Sequence, residues 1–181
     1  MQGIRNAKIE DSVTIYEVIR LNSVNGQLLM VPLNEIRKHI SDFIVFVKED
    51  TIVGCGRIYR YNNKISEICS LSVIEEMKGI GIGKAIIDRL IEKAQTPIIF
   101  LVTEKPDYYI KLGFERMKKT IIINPKIWYQ KIKNLIKQEK SERKKYSKNR
   151  YVLLGYLNKR NFEIETIPSP CLESKGFHSY D

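Results

Sequence analysis

Three alternating glycines, Gly79, Gly81 and Gly83, follow the acidic pair Glu75-Glu76 and Lys78, and they open an amphipathic helix directly after a strand-like run. Without side chains at these positions, backbone N–H groups can turn towards one point and an anion can approach them closely. The helix that follows adds its own unpaired N–H groups and the positive end of its dipole. The chemistry on offer is phosphate binding, with Lys78 and Lys84 as flanking cations.

Spacing decides which phosphate. A nucleoside-triphosphate loop places Ser or Thr after Gly-Lys to hold magnesium, whereas Gly83-Lys84 is followed by Ala85. A dinucleotide fingerprint requires a further glycine after two intervening residues and a downstream acidic residue in a βαβ unit; Ala85 and Ile86 follow Gly83. Strand, basic residue, Gly-x-Gly-x-Gly and helix suit the pyrophosphate of coenzyme A. The alternative is a glycine turn that merely lets a helix pack on a sheet.

The elements needed to hold such a loop are legible on both sides of it. Residues 4–9 alternate as a first strand, and Asp11 or Ser12 can cap a helix through Ile15, Val18 and Ile19 to about residue 22. A short second helix is expected over 34–40. A hairpin follows: Phe43–Lys48, a Glu49-Asp50 turn, then residues 52–61. Ile65–Val73, apolar on both faces, is expected to be the central strand leading into the loop. Beyond the loop, Ile86, Ile87, Leu90, Ile91 and Ala94 recur at helical spacing. Residues 97–102 read as a buried parallel strand, Asp107 as the cap of a short helix over 108–112, and Phe114 onwards together with 120–123 as closing strands. The fold class is therefore α+β, a mixed, mainly antiparallel central sheet flanked by helices.

The net charge of +10 is unevenly spread, with a balance of +1 over residues 1–117 and +9 over 118–181. A nearly neutral domain over 1–123 and a basic C-terminal extension over 124–181 are expected. Cys55, Cys69 and Cys171 show no metal-ligand spacing, so buried or idle thiols are expected and no metal. No apolar run reaches the length of a membrane span and the first residues lack a signal-peptide centre, which points to a cytoplasmic protein that does not engage membranes.

Three blocks resemble the GCN5-related N-acetyltransferase (GNAT) superfamily. Residues 67–73 running into Lys78-Gly79-Ile80-Gly81-Ile82-Gly83 resemble its Arg/Gln-x-x-Gly-x-Gly/Ala loop, with Lys78 in place of Arg or Gln. Tyr108-Tyr109-Ile110-Lys111-Leu112-Gly113-Phe114 is similar to its Tyr-x-x-x-Gly-Phe closing element, and the hairpin carrying Val53-Gly54-Cys55-Gly56 is the third block. A finer resemblance, through residues 100–109, is to stand-alone domains of the N-acetylglutamate synthase type. Those enzymes grip the acceptor carboxylate with an arginine after a Leu-rich run; residues 28–33 hold none, leaving Lys64 as a residue that can meet a carboxylate.

The resemblance implies an enzyme that moves the acetyl group of acetyl-CoA onto a primary amine by direct attack. It assigns the pyrophosphate to Lys78, Gly79, Gly81, Gly83 and Lys84, and the pantetheine to main-chain groups of Leu71 and Val73. Glu67 is implied as the base, acting through water, and Tyr109 as the acid for the leaving thiolate, with Tyr108 as its alternative. Small amino-acid-like acceptors lead; a protein acetyltransferase and a non-catalytic module binding acyl-CoA or nucleic acid are the rivals. In the extension, Trp128, Ile132, Leu135 and Ile136 outline an amphipathic basic helix over 124–138. The basic-aromatic run 143–151 matches surfaces that contact phosphate backbones, although a solvated face is the favoured reading. Residues 151–157 are apolar enough to rejoin the fold or to form a homodimer.

Overall fold

The computed structural model describes residues 3–24, 28, 30–117 and 152–157. Seven strands among them form one sheet: β1 (Gly3–Asn6), β2 (Phe43–Lys48), β3 (Thr51–Arg60), β4 (Ile65–Val73), β5 (Ile98–Thr103), β6 (Glu115–Arg116) and β7 (Val152–Leu157). Their order is β1-β2-β3-β4-β5-β7-β6. The β4–β5 pair is parallel and the other pairs are antiparallel. The expected α+β class and the central position of β4 both hold. The run 120–123 and the helix over 124–138 lie outside the described residues.

Helices α1 (Ser12–Val24) and α2 (Leu33–Lys38) cover one face, burying Ile15, Val18, Ile19 and Ile36 against Phe43, Val45, Val47, Ile52 and Cys55. Helix α3 (Ile82–Ala94) covers the other, where Ile82, Ile86, Ile87, Leu90, Ile91 and Ala94 meet Ile44, Ile58, Ile68 and Ile99. Alternation along each strand is what sends Ile44 to one layer and Phe43 and Val45 to the other. Helix α3 lies close to the sheet because β3 carries glycine beneath it: a Cβ at Gly56 would approach Leu90 at 2.8 Å and Ile86 at 2.9 Å.

Local details correct two expectations. The Ser12 hydroxyl does not accept from the helix but donates to the Ile9 carbonyl at 2.7 Å, while Asp11 accepts from the Lys8 N–H and pairs with Arg5. Helix α4 spans Pro106–Ile110 with proline in its first turn and no side-chain cap, so it starts one residue before Asp107. The Glu49-Asp50 turn holds both residues at positive φ (49° and 58°), the two-residue hairpin geometry whose twist suits adjoining strands. Strand β7, within the segment 124–181, lies between β5 and β6, with Leu154 fully buried.

Candidate active site

The loop before α3 is built as its glycines require. After β4, Ile74 donates to the Val53 carbonyl, a short turn spans Glu75–Met77, and Gly79 and Gly81 take φ of +82° and +92°. These left-handed angles, not crowding, demand glycine, because nothing lies within 4 Å of a Cβ placed at either position. Gly81 is the N-cap of α3, so the N–H groups of its first turn have no carbonyl one turn back and face outward from the loop. Gly83 sits within that turn, where an added Cβ would meet the Tyr108 hydroxyl at 2.8 Å. Both lysines are engaged locally: Lys78 pairs with Glu75, and Lys84 with Asp88 at 2.6 Å. The first-turn N–H groups of α3 are therefore open while both lysines are paired.

Beside the loop the sheet opens. Strands β4 and β5 share only three rungs, Ile65–Ile98, Ser66–Ile99 and Glu67–Phe100. Beyond them β4 continues along β3 to Val73, while β5 continues along β7 to Thr103. Past Glu67 and Phe100 the two strands no longer pair, which leaves a wedge between their facing main-chain edges. One residue of β4 bulges opposite Gly56, where the β3–β4 register slips and Ser70 takes φ of +54°. Leu71 follows immediately. The Val73 carbonyl accepts a hydrogen bond from the Asn22 side-chain amide at 3.3 Å, tying α1 to the mouth of the wedge.

Glu67 stands on the last shared rung. It is 9% exposed, and its Oε2 accepts a hydrogen bond from the Tyr61 hydroxyl at 2.7 Å. The Tyr61 ring stacks on Phe100 at 5.7 Å and meets Tyr59 edge-on at 4.7 Å. Burial, reinforced by the Glu67 charge, pushes the Tyr61 hydroxyl far up, so that it stays a donor. Two residues along β3, the Arg57 guanidinium lies over the rings of Phe43 (5.7 Å) and Tyr59 (5.1 Å). Lys64 is exposed, in the turn just before β4.

The two tyrosines of α4 separate. Tyr109 packs inward, edge-on to Phe114 at 6.0 Å; burial pushes its hydroxyl up to about 12, opposed by a hydrogen bond with Thr103 at the end of β5. Tyr108 is 41% exposed and lies over the start of α3. Among the described residues no group of three or more His, Cys, Asp or Glu side chains is placed to hold a metal.

A model of the acetyltransferase (GNAT) family matches residues 15–114, more than half of the chain. The chain belongs to this family. It is 30% identical over 132 residues to an uncharacterised N-acetyltransferase of Chlorobaculum tepidum, across 69% of this chain and 82% of that one. It is 27% identical over 124 residues to an amino-acid acetyltransferase of Mycobacterium tuberculosis, across 65% and 70%. A Mycobacterium tuberculosis structure in complex with CoA and NLQ shares the fold at a TM-score of 0.68 and 23% identity, covering 85% of this chain and 98% of that one. N-acetylglutamate synthase from Neisseria gonorrhoeae, complexed with coenzyme A and N-acetyl-glutamate, gives 0.72 at 19% identity, covering 88% and 36%.

As a GNAT acetyltransferase, the protein takes acetyl-CoA as co-substrate. Its residues fit that group. The left-handed glycines lead into the first turn of α3, whose N–H donors have no intrahelical partner, and the wedge between β4 and β5 lies between the strand before the loop and the one after α3. Asn22, Arg57 and Tyr61 are the neighbours that sequence reasoning overlooked. Arg57 carried a legible signal, a charge inside the otherwise apolar stretch 52–58. Tyr61 and Asn22 carried none, since each reaches its partner through tertiary contacts.

Proposed function

We propose that this GNAT protein transfers the acetyl group of acetyl-CoA directly onto the primary amine of a small, amino-acid-like acceptor. The observation that carries the reading is the position of Glu67, a buried carboxylate held by Tyr61 on the rung where β4 and β5 part. An acceptor arriving as an ammonium must lose a proton before its nitrogen can attack. Glu67, acting through water, takes that proton. The neutral amine adds to the thioester carbonyl, its nitrogen gives a second proton to water as the C–N bond forms, and the C–S bond breaks with Tyr109 supplying a proton to the departing thiolate. Acetyl-CoA supplies the activated acetyl group. Amides of Gly79, Gly81 and Gly83 bind its pyrophosphate, with Lys78 and Lys84 released from Glu75 and Asp88 to join them. Main-chain groups of Leu71 and Val73 line the pantetheine, and Lys64 is the further acceptor-binding cation. The amino-acid acetyltransferase among the relatives supports an amino-acid-like acceptor.

The test is acetyl-CoA turnover, followed as free-thiol release, against amino acids, polyamines and peptides with Glu67→Gln and Tyr109→Phe in parallel. Amine-dependent release with a small acceptor, reduced by Glu67→Gln, is the expected result. Release with peptides alone would move the acceptor class to proteins.

A further inference from the structure

We propose that Arg57 is the anion anchor of the acceptor site and selects an acceptor bearing a carboxylate beside its amine. This rests on the acetyl-transfer reading above and names the acceptor class within it. Arg57 is 8% exposed, in a strand whose neighbours from Ile52 to Ile58 are buried. A guanidinium carries five N–H donors and holds its charge at every working pH. Here Nη2 reaches Asp42 Oδ2 at 3.3 Å, the long end of the hydrogen-bond range, and Nε is buried without a partner among the described residues. Such a group is costly to bury, since its charge meets one long bond to a half-exposed carboxylate while Nε is left without a partner among those residues. Stacking over Phe43 and Tyr59 fixes the plane of the fork without using those donors.

Its position relative to Glu67 gives the fork a ligand. Arg57 is opposite Cys69, and Tyr59 is opposite Glu67, so Arg57 and Glu67 are diagonal neighbours on one face of the sheet, about 7–8 Å apart in backbone terms. That face also carries Phe43 and Cys55 and is the one covered by α1 and α2, away from the α3 helix. An α-amino acid carries its ammonium and its carboxylate on one carbon. Placed between the two side chains, it presents the ammonium to Glu67 and the carboxylate to the planar fork, which accommodates both oxygens. Asp42 already offsets part of the Arg57 charge, so a monoanion completes the balance better than a dianionic phosphate set beside Glu67 and Asp42.

The test uses the full chain and the twenty L-α-amino acids, each beside its own α-carboxamide, which keeps the amine and removes the anion. Expected is a wild-type preference for at least one acid over its carboxamide in kcat/KM, and a fall in that ratio of about 10- to 100-fold in Arg57→Gln. Arg57→Lys, which keeps the charge but not the fork, is expected to fall between. Carboxamides turned over as well as acids by wild type, or both falling together in the variants with the ratio intact, overturns the proposal. Should Arg57→Gln fail to fold, judged by loss of its melting transition, the same ratio is read from Arg57→Lys. No turnover of any small amine sinks the acetyl-transfer reading instead; the anchor is then judged by melting with CoA present. Stabilisation of wild type by an acid but not its carboxamide, lost in Arg57→Lys, upholds it, and no difference between acid and carboxamide overturns it.

Discussion

The Tyr61 hydroxyl donates to Glu67 Oε2 across 2.7 Å, inside an aromatic cluster completed by Tyr59 and Phe100. A short hydrogen bond from a packed ring fixes where the carboxylate points, and a proton acceptor works only when it is aimed. Tyr61→Phe keeps the ring stack and removes this donor. Tyr61→Phe is therefore expected to lower kcat by misaligning the carboxylate, less than Glu67→Gln, which lowers it about 10²- to 10⁴-fold. An unchanged kcat in Tyr61→Phe would detach this tyrosine from the role of Glu67.

Tyr109 gives a pH signature. Burial raises its hydroxyl from the usual value near 10 to about 12, so the folded protein favours the protonated phenol. The associated stability is fully present below pH 10 and is lost as pH rises through 12. Tyr109, the proposed acid, thus stays protonated up to pH 10, and any alkaline fall in kcat below that point belongs to another group. Tyr109→Phe is expected to lower kcat more than Tyr108→Phe does, measured as thiol release from pH 7 to 10. The reverse order would assign the acid to Tyr108, whose hydroxyl lies over Gly83.

Glycines in the core and in the loop are expected to fail differently. Alanine at Gly56 drives a methyl into Leu90 and Ile86, at 2.8 and 2.9 Å, and forces α3 off the sheet. A loss of about 1–3 kcal/mol in urea unfolding is expected. Alanine at Gly81 meets open space but must adopt φ of +92°, costing about 1–2 kcal/mol. Gly81→Ala is also expected to raise the KM for acetyl-CoA, because that strain is relieved by reshaping the loop.

Much of this arrangement was legible because local rules and tertiary structure agree. Helix α3 follows from the spacing of Ile86, Leu90 and Ile91, and β4 from apolar residues on both faces. The loop glycines were recognisable because a left-handed backbone leaves few other choices. The partners of Glu67 were not. Tyr61 meets it across the turn between β3 and β4, and Phe100 meets it from a strand 33 residues away, contacts that depend on strand register. The apolar run 151–157 was legible as a segment able to rejoin the fold, but its place as β7 between β5 and β6 depends on strand pairing that composition does not reveal.

That strand yields the last prediction. Strand β7 pairs with β5 along six rungs, from Ile98–Leu157 to Thr103–Val152, and with β6 along two. Leu154 is fully buried in the cluster that also holds Leu101 and Phe114, and a side chain at Gly155 would collide with the Met117 sulfur. Removing residues 124–181 strips the outer edge of β5 and uncovers that cluster, and β5 forms one wall of the wedge. A 1–123 fragment is therefore expected to lose both its cooperative melting transition and its affinity for acetyl-CoA, whereas a 1–157 fragment keeps both. Calorimetry on the two fragments with acetyl-CoA titrated into each makes the comparison. A 1–123 fragment that melts cooperatively and binds acetyl-CoA as tightly as the full chain would show that the wedge stands without β7.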